Sequence, residues 1–524
     1  AHDAATPLPL STSMASTQSE PASSHPASNH SPVAFHGVHL SCGGSGAGGF
    51  VEVSSPITLS YGALTDTRAD DGTAGTLFLD PGDFTISTGA DNPAGGNVNN
   101  LVLAINLGLG NVTLDTAAIG SGGLGDISVA AAVNWNSANS LTLTAGNDIT
   151  VNALIANGGM GGVNLNAVGA VTIENGGGQI ALSGGSVTVM AGGNFNVNGT
   201  ATIVTGGGNI DVTAVDSTIN NAIISAGGDI TFVGNNVMLN GAASLSGGTF
   251  TAGAPGAAAL TGTFTSTSSG SITGGGGQVN IAATGITIGG NISDTGAIDM
   301  DSTMTPINLN AAISSNDSDI RFRDDVVVGA NFTIASGGGI GDIAFDGTIN
   351  DDGGRSLTVD AGMGSVTLQN VGDTAPLTAF TANGVGVTFA GDIYTAPSQS
   401  YNAGGGTFMA TAGSATTFDA ATTMSTANGG FALADGSDLV IASGSGNISI
   451  ASIQGTSDED VSISAGTGSI GVGAIGDGTG IDNVSITAAG ITLTGDIQTS
   501  NGDMSGAVTL TGGITIGGNV AVNS

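Results

Sequence analysis

Three residues near the amino terminus have the types and spacing of a metal site. His36, His39 and Cys42 stand three apart, and imidazole with thiolate suits zinc or copper. They supply three ligands, so a fourth would have to come from His25, His30 or another chain. The competing reading is a polar tail whose histidines hold nothing, and it is the one adopted. No cofactor is expected, and His36, His39 and Cys42 are the metal candidates should one bind. A second cluster is Arg321 and Arg323, which flank Phe322 and precede Asp324 and Asp325. A guanidinium beside carboxylates is the minimum for stabilising a developing anion in a polysaccharide lyase or hydrolase. The chain has no lysine and no histidine after His39, which leaves few groups for general acid–base work. The cluster therefore reads as local surface pairing, and no enzyme is expected. Asp70-Asp71, Asp324-Asp325, Asp351-Asp352 and Asp458-Glu459-Asp460 offer hard oxygen ligands to calcium. Turn formation and surface charge are the preferred reading of them. Gly122-Gly123-Leu124-Gly125-Asp126 and Gly338-Gly339-Ile340-Gly341-Asp342 look like the calcium β-roll repeat, but the Asp comes one position early and the units are not in tandem.

Composition narrows the function further. The 524 residues include 93 Gly, 12 Pro, one Cys, 40 acidic residues and four basic ones, all arginine, for a formal net charge of −36. Binding nucleic acid needs clustered Lys and Arg to neutralise phosphates, so it is excluded. The same shortage argues against an anionic membrane surface. Hydrophobic residues make up 40% and the mean hydropathy is +0.30, unlike a disordered chain of low hydrophobicity and high charge. No apolar run approaches the roughly 18 residues of a spanning helix, so no membrane insertion is expected. Cys42 has no internal disulfide partner. A chain that opens at Ala1 with no apolar leader reads as a mature secreted protein.

The elements that would carry such residues are short strands. Residues 1–50 hold five of the prolines and all five histidines and end in a Gly-rich run, the composition of an extended Pro/Ser/Gly-rich tail. From residue 51 to Ser524 the texture is constant. Val112-Thr113-Leu114, Leu141-Thr142-Leu143, Val187-Thr188-Val189 and Val366-Thr367-Leu368 alternate with period two, and Gly, Asn or Asp bounds each run. That is the pattern of half-buried strands between tight turns. No sustained apolar pattern at helical spacing is found. A motif of Gly, then Asn or Asp, then a strand recurs at Gly110, Gly125, Gly208, Gly228, Gly290, Gly341, Gly391, Gly446, Gly495 and Gly518. Residues 122–146 and 338–362 align without a gap and share 11 of 25 positions.

Repeats this short mean an array in which stacked units bury what one unit cannot. The reading is an all-β, right-handed parallel β-solenoid (β-helix) over residues 51–524, behind the tail of residues 1–50. At ~20 residues per coil and ~4.8 Å per coil it would have about 24 coils and a length of about 110 Å. Ig-like sandwiches would need modules near ~100 residues.

Several segments carry a family resemblance. Leu77-Phe78-Leu79-Asp80-Pro81-Gly82-Asp83-Phe84-Thr85-Ile86 resembles a segment of the large filamentous-haemagglutinin-like exoproteins. Val133-Asn134-Trp135-Asn136-Ser137-Ala138-Asn139-Ser140-Leu141-Thr142-Leu143-Thr144-Ala145-Gly146 is similar to their repeat, and Phe389 to Tyr401 to their later arrays. The resemblance implies a secreted β-helix displayed on a Gram-negative bacterium as an adhesin or surface fibre. The Asn-Pro-Asn secretion motif of that family is not found.

The functional expectation is an extracellular structural protein, a solenoid subunit that stacks head-to-tail with copies of itself into a filament. The contact would join Ile514, Ile516, Val520 and Val522 of one subunit to Val51, Val53, Ile57 and Leu59 of the next, with residues 1–50 lying along the neighbour. The alternative is an adhesin passenger or stalk that binds surface glycans or host proteins. Either would be secreted, outside the cell or on a bacterial surface.

Overall fold

The structure is a computed structural model that describes residues 34–35, 38–39, 47–55, 59–69, 72–89, 96–117, 124–225, 227–256, 258–411, 415–421, 423–427, 429–456, 458–476, 481–499 and 506–524. The chain is a parallel β-solenoid of about 19 turns. It divides into two compact units, Ala1–Gly228 and Asp229–Ser524.

The first unit shows how the alternating runs become turns. Strands Leu141–Ala145, Ile149–Val151 and Leu154–Asn157 form one turn. The next is Val163–Ala167, Val171–Ile173 and Gln179–Leu182. Each strand pairs in parallel with its equivalent one turn on: Leu141 with Val163, Ile149 with Val171, Ile155 with Ile180. Because side chains alternate across a strand, Leu141, Leu143, Ile149, Val151 and Ile155 all point inward and are fully buried. Burying each such side chain contributes about 1.5–3 kcal/mol, and stacking repeats that gain at every turn. Glycine sits where turns pass closest. A Cβ on Gly161 would lie 1.8 Å from the carbonyl oxygen of Asn139 in the preceding turn. Gly125 adopts φ +80° at a corner, a conformation costly to other residues.

The second unit repeats the plan. Ile298, Ile320, Ile343 and Val366 stack in one inward column, and Val387, Phe408 and Phe431 in another. One stretch of its core is filled by aromatics: Phe389, fully buried, has the rings of Tyr394, Tyr401 and Phe418 at 4.9, 5.0 and 4.8 Å. The aligned segments found in the sequence occupy equivalent turns. Ile127–Val129, Val133–Trp135 and Leu141–Ala145 correspond to Ile343–Phe345, Ile349–Asp351 and Ser356–Asp360. One corner is closed by different chemistry in the two. Trp135 Nε1 donates to the Asn139 carbonyl at 2.9 Å, whereas Asp351 Oδ2 accepts the Arg355 amide at 2.8 Å.

Two expectations need correction. The coil is longer than ~20 residues: successive partners Leu141, Val163, Val187 and Ile210 are 22, 24 and 23 apart, so there are about 19 turns and not 24. The spacing of the Gly–Asn/Asp motif misleads because it marks more than one corner per turn. Asn111 opens a strand that pairs with Leu141–Ala145, while Asp126 precedes one that pairs with Ile149–Val151. Second, there is a helix, Asn100–Leu109. The Asn99 side chain caps it by accepting from the amides of Leu101 and Val102. Leu103, Asn106 and Leu107 are buried at helical spacing, and Asn106 reaches back to accept from Thr65 N at 2.7 Å and donate to Ala63 O at 3.0 Å. In the described part of the segment before residue 47, Ala34–Phe35 pairs with Ser60–Tyr61 and Val38–His39 with Thr65–Asp66.

Candidate functional site

Short acceptors at the corners, among them Asp126 and Asp342 of the recurrent Gly–Asn/Asp motif, share one role. In the first unit Asp83 Oδ1 accepts the amides of Gly125 and Asp126 at 2.7 and 3.2 Å, Asp126 Oδ1 that of Asp148 at 3.2 Å, and Asp148 Oδ1 that of Ala170 at 2.7 Å. In the second, Asp438 accepts from Asp460 N at 2.8 Å, Asp460 from Asn483 N at 3.1 Å, and Asn483 from Ala507 N at 3.0 Å. Asp319, Asp342 and Ser365 N make a third such run. Each short acceptor at a corner takes an amide of the following turn. Carboxylates one turn apart repel by about 1 kcal/mol in water at ~4.8 Å, and salt reduces this. The hydrogen bonds to backbone dipoles offset it.

The arginine–aspartate cluster lies on the second unit. Arg323 forms a two-pronged pair with Asp299, both contacts at 2.7 Å. Arg321 Nε donates to Asp346 at 2.7 Å. The partners sit on neighbouring turns because Asp299, Arg321 and Ala344 are in register. The hydrogen bond to Asp299 raises the Arg323 pKa further. Burial pushes the Asp324 carboxyl up and the nearby Asp301 adds to it, while the Ser302 amide at 2.6 Å works the other way. Two shallow depressions of about 350 and about 320 Å³ flank the cluster and share Asp325, Asp346 and Gly347. The first also contains Met304, which is 79% exposed, beside Arg323 and Asp324. Of the other arginines, Arg68 pairs with Asp66, and Arg355 with Asp352 at 3.7 Å and the Gly329 carbonyl at 2.9 Å. All four guanidiniums are therefore engaged with carboxylates.

The remaining sequence candidates fall as follows. His36 and Cys42 lie outside the described residues, and His39 is described only as backbone pairing with Asp66. Ile57 also lies outside them, as do Asp70 and Asp71. Val51, Val53 and Leu59 are buried and face the interior of their own turn. Strand Phe50–Ser54 pairs with Thr76–Asp80. At the other end, strand Val508–Ile516 pairs with Val484–Leu493 and leaves Ile514 and Ile516 about half exposed, with Val522 likewise exposed and Val520 partly covered. Asp435, Asp458 and Glu459 bring one oxygen each within 4.8 Å of one another. Glu459 is fully buried there and accepts from the Thr456 amide at 2.8 Å and from its hydroxyl. Asp460 belongs to the ladder instead.

One group escaped the sequence reading. Asp80 ends strand Thr76–Asp80, is 4% exposed, and its Oδ1 has no hydrogen-bond partner among the described residues. Burial, then the charges of Asp115 and Glu52, push its carboxyl up to about 6. The available signal was an aspartate directly after each of two alternating apolar runs, Leu77-Phe78-Leu79-Asp80 and Val112-Thr113-Leu114-Asp115.

No protein-family model matches the chain, and no curated protein matches it. Among the described residues, no helix is long and apolar enough to cross a membrane.

Proposed function

We propose that the chain is a secreted structural protein, a β-solenoid subunit of an extracellular filament. The observation that supports this most directly is the cross-turn ladder from Asp438 through Asp460 and Asn483 to Ala507. Side chains that a binding or catalytic protein would hold ready for a ligand are used here to fasten turn to turn. The arginines are engaged in the same way, pairing Arg321 and Arg323 with carboxylates on adjacent turns.

Growth is by parallel strand addition at strand Val508–Ile516. Its inner positions, Leu510, Ile514 and Ile516, carry the same residue types as the buried Ile486, Ile491 and Leu493 they pair with. A turn of a second copy is therefore the matching occupant, and main-chain hydrogen bonds would supply much of the contact. A heterologous contact of this kind does not close on itself and yields open filaments. Val51, Val53 and Leu59 would enter as the floor of the partner turn and not as exposed anchors.

The test is electron microscopy of the purified chain beside an Ile514→Asp/Ile516→Asp variant. The wild type should form long polymers and the variant single particles with unchanged β-sheet circular dichroism. Polymers of equal length from both would reject growth at this strand. Single particles from both would favour the second reading, an adhesin passenger. That reading draws on the depressions beside Arg323, where carboxylates, Thr303 and exposed Met304 could face a glycan.

A further inference from the structure

The chain contains seven Asn-Gly pairs, at Asn157, Asn175, Asn198, Asn240, Asn383, Asn428 and Asn501. In such a pair the glycine amide nitrogen can attack the asparagine side-chain carbon. The two are tethered, and the glycine has no Cβ to block the approach. The reaction needs that nitrogen unengaged, a side-chain oxygen able to take up negative charge, and an amino group free to leave. Asn428 and Asn501 lie outside the described residues.

Four of the other five pairs are restrained. Asn157 is 2% exposed, and its Nδ2 donates to the carbonyls of Ser137 and Gly161 at 3.0 and 2.8 Å. The Gly158 amide donates to the Trp135 carbonyl at 3.0 Å, and the Gly384 amide after Asn383 to the Asn402 carbonyl at 3.0 Å. Asn198 is half-buried and its Nδ2 donates to Glu174 at 3.4 Å. Asn240 is half-buried and Gly241 buried. Asn175 differs on every count. It stands with Gly176 at an exposed corner between strands Val171–Ile173 and Gln179–Leu182. Gly176 has φ +91° and open space where a Cβ would be. Neither the Gly176 amide nor Asn175 Nδ2 has a partner among the described residues. Asn175 Oδ1 accepts two bonds from Thr200 on the following turn, from its amide at 3.1 Å and its hydroxyl at 2.9 Å. Two donors converging on one carbonyl oxygen form the arrangement that stabilises an oxyanion as it develops.

We propose that Asn175 is a self-modification site, at which the chain converts its own side-chain amide to an acid with water as the co-reactant. The Gly176 nitrogen bonds to Asn175 Cγ while Thr200 holds the oxygen that gains charge. The Cγ–Nδ2 bond then breaks, and the Gly176 amide proton leaves on Nδ2 as ammonia. Water opens the resulting cyclic imide at either carbonyl, giving aspartate or isoaspartate at position 175. Aspartate keeps an acceptor for Thr200, whereas isoaspartate adds a carbon to the main chain at that corner.

The experiment incubates the full chain at mildly alkaline pH, folded and in urea, and then digests it with pepsin in acid, which stops the reaction. Mass spectrometry with fragmentation that distinguishes isoaspartate follows each pair. In the folded chain Asn175 should convert at least about tenfold faster than Asn157 or Asn383, which must wait for local opening. In urea the pairs should react at similar rates. Thr200→Val keeps the amide donor and loses the hydroxyl. It should slow Asn175 in the folded chain by roughly two- to tenfold and leave the rate in urea unchanged. An unchanged Asn157 rate in that variant shows that the fold is intact. If folded Asn175 reacts no faster than Asn157 and Asn383, or if Asn198 or Asn240 reacts first, the assignment is overturned. Equal Asn175 rates in wild type and Thr200→Val would overturn the part given to Thr200.

Discussion

Replacing Asp460 by Ala tests whether the aspartates are fasteners. Asp460 Oδ1 accepts from Asn483 N at 3.1 Å and from Asn483 Nδ2 at 2.8 Å. Two such bonds contribute about 0.5–1.5 kcal/mol each, with the lower half of the range fitting an exposed corner, so their loss costs about 1–2 kcal/mol. Against this stands the repulsion from Asp438 one turn away, about 0.9 kcal/mol at ~4.8 Å in water and less in salt. The net expectation for Asp460→Ala is a loss of about 0.5–1.5 kcal/mol. Asp460→Asn keeps an acceptor and removes the repulsion, so it should be as stable as wild type or slightly more so. The assay is native-state amide exchange at Asn483 and Ala507, supported by urea unfolding. Faster exchange at Asn483 in the Ala variant alone is the expected result. If Asp460→Ala proves as stable as Asp460→Asn, the hydrogen bond contributes nothing. The aspartates would then have to be explained by charge alone, and the structural reading of the ladder would fail with them.

Two further predictions concern other parts of the fold. Phe389→Ala opens a cavity among five rings, Tyr394, Tyr401, Phe408, Phe418 and Phe431, and should cost roughly 3–5 kcal/mol. Coupling in a solenoid is between neighbouring turns, so amide protection should fall mainly between residues 379 and 433, and an even loss across the second unit would contradict it. Asp80 should make stability depend on pH. Its folded pKa of about 6 lies above its ordinary value of 3.8, so the proton is held more tightly in the folded state. The stabilisation is complete below about 3.8 and is lost as the pH rises through about 6. Asp80→Asn should flatten that part of the stability profile, and an unchanged slope between pH 4 and 6 would show that Asp80 is not the group responsible.

The sequence by itself determined the class of structure. Alternation in Leu141-Thr142-Leu143 and φ tolerance at Gly125 are properties of a residue and its nearest neighbours, so they can be read locally. The 216-residue offset between residues 122–146 and 338–362 carried over to equivalent turns for the same reason. What lies one turn away is not local. The register of a solenoid depends on the length of every loop in the turn, and no single motif encodes that sum. Hence the coil length was misjudged from motif spacing. Likewise Asp80 and Asp115, 35 residues apart in the chain, became neighbours only through the pairing of Leu79 with Leu114. The helix shows the limit most clearly. Leu101, Leu103, Ile105, Leu107 and Leu109 alternate like a strand, yet the segment is helical because Asn99 caps it and Asn106 finds buried partners in the 63–65 segment. Local periodicity fixed which residues could face a core; tertiary packing decided which core they faced and which charges met there, because those contacts join residues that only folding brings within reach.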